Sequence, residues 1–92
     1  MVIEGSFYKL YPSNEYSLNF DLELLHDIGG KNPRQEFKNV GYGYTLEHAI
    51  KAIIMFAINK KFKDDSITLK EFLEEYKKQN ENLTNELRSF GI

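Results

Sequence analysis

His26 and Asp27 are the residues of this chain best suited to acid–base chemistry, because an imidazole and a carboxylate can exchange a proton near neutral pH. Gly29 and Gly30 follow closely, so we expect the pair to lie in a loop. The chain has no cysteine, and only His48 and scattered carboxylates remain to complete a metal site. The sequence therefore predicts no catalytic residue, no metal site and no cofactor, and a protein that is not an enzyme.

Gly41 and Gly43 flank Tyr42 just before a predicted helix, as glycines do in some phosphate-binding loops. A third glycine and a lysine at Walker spacing are absent, and Glu47 would put negative charge in the first helical turn. We interpret the two glycines as positions where a helix or another backbone approaches one face of a strand.

Basic and aromatic residues lie together between residues 31 and 44, where rings could stack on bases while cations neutralise phosphates. The candidate nucleic-acid contacts are Lys31, Arg34, Lys38 and Tyr42. The whole chain has a net charge of −2, and residues 1–30 carry five acids against one base. Because an acidic protein repels polyanions outside one basic patch, nucleic-acid binding is the alternative function and not the first.

Residues 45–58 predict the helix around which the rest of the chain is organised. Apolar side chains recur at the three- and four-residue spacing of one helical face, and Thr45 is placed to cap the first turn. The apolar residues of that face are Leu46, Ala49, Ile50, Ile53 and Ala57. We expect a helix over 45–61 that is buried along most of its length.

Three segments before this helix predict β-strands. Residues 6–11 are aromatic and end at a turn-forming Pro12, residues 15–24 alternate apolar and polar side chains, and residues 36–44 resume after the loop. The strict alternation in 15–24 predicts an antiparallel sheet that is covered on one face only. The predicted fold is α+β: a three-stranded antiparallel sheet followed by two helices, 45–61 and 68–90, packed on that face.

The second predicted helix begins at Thr68 and Glu71, which form a capping box. Its apolar residues step by three and four, and Asn80 occupies the position of the next one. At about 1.5 Å per residue the helix would be roughly 33 Å long, so its far end could extend past a small sheet and pair with a second copy. The alternative is a stripe that packs inside one chain. The candidate interface residues are Leu83, Leu87, Asn80, Glu74 and Glu81.

Length and composition predict one domain, 1–92, because 92 residues can form a single core but not two. The first residues lack the basic and apolar pattern of an export signal, and no apolar run is long enough to cross a bilayer. We therefore expect a cytoplasmic protein without a membrane partner.

Residues 42–53, which read Tyr-Gly-Tyr-Thr-Leu-Glu-His-Ala-Ile-Lys-Ala-Ile, and residues 67–72, Ile-Thr-Leu-Lys-Glu-Phe, resemble small uncharacterised phage and prophage proteins. That resemblance implies an accessory protein of a viral genome that acts in the host cytoplasm by binding a host or phage protein. Such a protein could inhibit an anti-phage defence protein, for example a CRISPR-like nuclease. The resemblance assigns no functional residue.

Overall fold

A computed structural model of the chain describes residues 2–16 and 18–89. Its residues form two compact units, Met1–Ala49 and Ile50–Ile92, so the single-domain expectation stays a prediction. The chain is α+β, as predicted, with an antiparallel sheet and two helices. The elements in chain order are β1 (Ile3–Glu4), β2 (Tyr8–Pro12), β3 (Phe20–Ile28), β4 (Arg34–Tyr44), α1 (Leu46–Lys61) and α2 (Leu69–Ser89).

The sheet has four strands in the order β1-β2-β3-β4, so the predicted number of three was wrong. The additional strand, β1, has only two residues, and Ile3 pairs with Leu10 while Glu4 pairs with Lys9. A strand of this length has no measurable alternation, because the period of a β-strand is itself two residues. For that reason the sequence pattern did not reveal it.

β3 covers residues 20–28 and not the predicted 15–24. Tyr16 and Leu18, predicted to lie on the apolar face, are each 89% exposed. The Asn14 side chain accepts a hydrogen bond from the Tyr16 amide at 2.9 Å, and the Ser13 amide donates to the Asn19 carbonyl at 3.0 Å. These local bonds close a loop between β2 and β3. The alternation of apolar and polar residues continues through this loop, but the chain is not a strand there.

The buried face of the sheet follows from its register. Leu10 pairs with Leu22 and Tyr8 with Leu24, and directly opposed residues have their side chains on the same face. The buried residues of this face are Ile3, Tyr8, Leu10, Phe20, Leu22 and Leu24. The alternation predicted for Phe20, Leu22 and Leu24 is therefore confirmed.

α1 and α2 begin directly after Thr45 and Thr68, the capping residues from which their starts were predicted. The Thr45 hydroxyl accepts a hydrogen bond from the His48 amide at 3.2 Å. At the start of α2, the Glu71 amide donates to the Thr68 hydroxyl at 3.1 Å and the Thr68 amide donates to the Glu71 carboxylate at 3.3 Å, which is a complete capping box.

The apolar residues of α1 are buried at four positions and partly exposed at most of the others. Those least exposed to solvent are Ala49, Ile53, Ile54 and Ile58, at 2% or less. The predicted helix is therefore confirmed, but its burial only in part: Ala49 and Ile53 of the predicted face are buried, whereas Leu46, Ile50 and Ala57 are partly exposed. Within residues 2–16 and 18–89, neither helix is both long and apolar enough to cross a membrane.

Candidate interaction surfaces

His26 and Asp27 lie in β3 and not in the predicted loop, which is confined to residues 29–33. The Nδ1 atom of His26 is 2.9 Å from the Leu24 carbonyl oxygen, and Asp27 accepts a hydrogen bond from the Gln35 side chain at 2.9 Å. Neighbouring residues of a strand point to opposite faces of the sheet. The two side chains therefore cannot act together on one substrate or metal ion.

His48, the other histidine, is exposed in the first turn of α1. Within the described part of the chain, no three His, Asp or Glu side chains are grouped closely enough to hold a metal ion. The expectation that the protein is not an enzyme stays a prediction.

The four candidate nucleic-acid residues lie on β4 or in the loop before it, and all four are exposed. Tyr42 is 78% exposed. Arg34 is not a free cation, because its Nε atom donates to the Glu36 carboxylate at 2.6 Å. This bond lowers the pKa of Glu36 below its ordinary value of 4.5, so its charge offsets part of the basic patch.

Gly41 and Gly43 were predicted to lie on one face of a strand and to leave space there for a helix or another backbone. The register with β3 shifts at these residues, so they do not form such a continuous space on β4. Gly41 pairs with Leu22, and a Cβ atom at Gly41 would lie 2.5 Å from the Tyr44 ring. Gly43 has a φ of +69°, and its amide donates to the Asp21 carboxylate at 3.1 Å. The first glycine therefore makes room for a ring of its own strand, and the second is needed for the local backbone conformation.

Of the five candidate interface residues of α2, two are buried and three are exposed. Leu83 and Leu87 are buried, at 5% and 4% exposed, so their side chains are not available to a partner. Glu74 is exposed on an earlier turn of the helix. Asn80 and Glu81 line an open depression of about 440 Å³ together with residues one and two turns further on. The other lining residues are Thr84, Asn85 and Arg88.

The first half of α2 exposes apolar residues that share the three- and four-residue spacing of the predicted apolar stripe. Leu69 is 73% exposed and Leu73 is 56% exposed. Phe72 and Tyr76 are half-buried, and their ring centroids lie 6.1 Å apart at an interplanar angle of 42°. These four residues recur at helical spacing and are neighbours on the helix surface. We call them the α2 patch: Leu69, Phe72, Leu73 and Tyr76.

A carboxylate occupies the buried side of the same part of α2. Glu75 accepts a hydrogen bond from the Gln79 amide at 2.8 Å and from the Lys61 ammonium at 2.9 Å. Its side chain is 9% exposed and that of Lys61 is 47% exposed. The two hydrogen bonds outweigh the effect of burial and lower the pKa of Glu75 below 4.5. The Lys61–Glu75 ion pair was not predicted from the sequence; the four-residue spacing of Glu75 and Gln79 signals only the second hydrogen bond.

The face of the sheet opposite the buried leucines carries one cation–ring contact and one hydrogen bond between side chains of neighbouring strands. The Nζ atom of Lys9 lies 4.3 Å from the centroid of the Phe37 ring, and the Tyr11 hydroxyl donates to Glu23 at 3.2 Å. Desolvation and the Glu23 carboxylate raise the pKa of Tyr11 above 10.0. These contacts hold the side chains of neighbouring strands in fixed positions.

The fold and surfaces define a small α+β protein with a four-stranded antiparallel meander and a helical pair. Comparison with protein-family models, with curated proteins and with solved structures finds no match to this chain.

Proposed function

We propose that this chain is a non-enzymatic binding protein that contacts a partner protein through the α2 patch. The observation that carries the proposal is the exposure of Leu69 and Leu73, which are more than half accessible on successive turns of one helix. A contiguous apolar cluster on a surface helix is typical of a protein-binding site, whereas isolated exposed leucines are common and need no explanation.

The composition of the α2 patch fits a protein interface. Two aliphatic side chains lie beside a phenylalanine and a tyrosine, and aromatic residues are enriched at the centres of protein interfaces. Exposed charges of both signs lie beside the patch on the same helix. They are Lys70, Glu71, Glu74 and Lys77. An apolar centre with a charged rim allows desolvation at the centre and leaves the rim hydrated.

The resemblance of residues 42–53 and 67–72 to phage proteins supports a more specific proposal. In that proposal the protein is a phage-type accessory protein of the host cytoplasm, and its partner is a host or anti-phage defence protein. A CRISPR-like nuclease is one such target. The second stretch, residues 67–72, includes two residues of the α2 patch.

The double substitution Leu69→Glu with Leu73→Glu is expected to weaken partner binding by about tenfold or more, because it places two charges at the centre of the apolar contact. The measurement is capture of partners from host lysate on the tagged protein, treated with nuclease, followed by titration of the partner identified. Circular dichroism should show unchanged folding, since both side chains are exposed.

The matched control is Lys70→Ala with Lys77→Ala, which changes the net charge by the same amount on exposed positions of the same helix. This variant should bind within about threefold of the unsubstituted protein, because rim charges affect binding weakly. Equal loss of binding in both variants would reject the α2 patch as the interface.

Nucleic-acid binding is the second candidate function, and the exposure of both Tyr42 and Lys38 on β4 favours it. If it is correct, Tyr42→Ala should weaken binding of labelled single-stranded DNA or RNA by about 1–3 kcal/mol, the usual contribution of one stacked base. Fluorescence anisotropy at low salt measures this effect. No binding of either probe by the unsubstituted protein at low salt would eliminate the candidate.

A further inference from the structure

β4 is the last strand in the sheet order, so one of its long sides is bonded to β3. Among residues 2–16 and 18–89, no strand is bonded to its other side. β4 is also the longest strand, with 11 residues. The backbone amides and carbonyls along such an edge can pair with a further strand.

Only the first part of β4 is regular enough to accept a strand. Residues 34–39 pair one to one with residues 23–28 of β3, from Ile28 opposite Arg34 to Glu23 opposite Asn39. Register shifts follow on both sides of Leu22. Because bulges twist an edge away from further pairing, a partner strand would have to fit residues 34–39.

The charges of this segment discriminate between the ways in which two copies could pair. Two antiparallel copies are related by a two-fold axis that is perpendicular to the sheet and lies midway between the two edge strands. Opposed side chains must share a face of the sheet, so one residue must lie directly opposite its own copy at the axis. An axis at Glu36 would oppose Glu36 to itself and Arg34 to Lys38. An axis at Lys38 would oppose Lys38 to itself. Directly opposed like charges destabilise strand pairing, so both registers are disfavoured.

An axis at Gln35 would oppose Arg34 to Glu36, but it would use only residues 34–36 of the regular segment. An axis at Phe37 uses residues 35–39 and gives complementary pairs over all of them. Glu36 lies opposite the second copy's Lys38, and the symmetry repeats this ion pair. Gln35 lies opposite the second copy's Asn39, and the two Phe37 rings face each other across the axis. Ion pairs, amide pairs and aromatic pairs are the cross-strand contacts that stabilise sheets.

We propose that a second copy of this chain pairs antiparallel with residues 35–39 of β4 about a two-fold axis at Phe37, which joins the two sheets edge to edge. The side chains are already held in position within one chain. Arg34 binds the Glu36 carboxylate at 2.6 Å, and Lys9 lies over the Phe37 ring at 4.3 Å. This surface shares no residue with the α2 patch, so it is independent of the proposed function.

A charge exchange tests the register by sedimentation equilibrium. Glu36→Lys alone opposes lysine to lysine twice, and Lys38→Glu alone opposes glutamate to glutamate twice. Each variant should raise the dimer dissociation constant by about tenfold or more. An equimolar mixture of the two variants restores opposite charges at both positions, so a heterodimer of near-original affinity is expected. A monomeric unsubstituted protein at millimolar concentration would overturn the proposal.

Introduced cysteines test the position of the axis, since the chain has no cysteine of its own. Phe37→Cys should form a disulfide-linked dimer with oxidised glutathione, because the two side chains face each other at the axis. Asn39→Cys is the control, since its sulfur would lie four residues, or about 14 Å, from its copy. Equal cross-linking of the two variants would contradict the register.

Dimerisation that survives both charge reversals but is lost in Leu69→Glu with Leu73→Glu would place the dimer on α2 instead.

Discussion

Gly5→Ala should lower the free energy of unfolding by about 1–3 kcal/mol, which corresponds to roughly 4–8 °C in Tm for each kcal/mol. The Tyr8 ring lies directly over Gly5, and an added Cβ atom would overlap the ring carbons and lie 2.6 Å from the hydroxyl oxygen. The ring cannot move aside easily, because Tyr8 is completely buried. The Gly5 amide also donates to the Tyr8 carbonyl at 3.0 Å, which fixes the turn between β1 and β2.

Urea denaturation monitored by circular dichroism measures this effect, and Gly29→Ala is the matched control. A Cβ atom at Gly29 would have no other atom within 4 Å, and neither Gly5 nor Gly29 has a positive φ. The control should be neutral or stabilising by up to about 1 kcal/mol, because alanine restricts the unfolded chain. Equal destabilisation by the two substitutions would show that the Tyr8 ring does not fill the space above Gly5.

The buried face of the sheet illustrates what alternation can predict. Phe20, Leu22 and Leu24 lie on one face, as the period of two requires. Leu18 continues the same pattern but lies in a loop, because backbone bonds and the Asn14 side chain close that loop before β3 begins. Alternation predicts which residues share a face only where the chain is already a strand, and local hydrogen bonds decide where the strand starts.

The outward surface of α2 could not be predicted from its apolar spacing. Leu69 and Leu73 fit the same three- and four-residue steps as Leu83 and Leu87, yet the first pair is exposed and the second is buried. Spacing shows that residues share a helical stripe but not how far along the helix that stripe is covered. The interface predicted at Leu83 and Leu87 thus lies in the buried part of α2, and the exposed apolar residues are two turns or more before it.

Glu75→Gln should lower the free energy of unfolding at pH 7 by about 1–3 kcal/mol, the usual contribution of hydrogen bonds to a charged group. The Glu75 carboxylate presents two acceptor oxygens, which receive bonds from Lys61 at 2.9 Å and Gln79 at 2.8 Å. A neutral amide presents one acceptor and one donor in the same space. Glu74→Gln is the control, because Glu74 is exposed and the same change there should alter stability by less than about 0.5 kcal/mol.

The stability difference between the unsubstituted protein and Glu75→Gln depends on pH if the ionised carboxylate of Glu75 causes it, and not if the size of the side chain does. The pKa of Glu75 is lower in the folded chain than its ordinary value of 4.5, so the unfolded chain binds a proton first as the pH falls. The stabilisation is therefore complete above that ordinary value and is lost as the pH falls through the folded pKa. Urea denaturation at pH 7 and at pH 3 should show the stability of the unsubstituted protein approaching that of Glu75→Gln in acid. A difference between the two proteins that stays constant over this range would mean that the size and packing of Glu75, and not its ionised carboxylate, stabilise the start of α2 against Lys61.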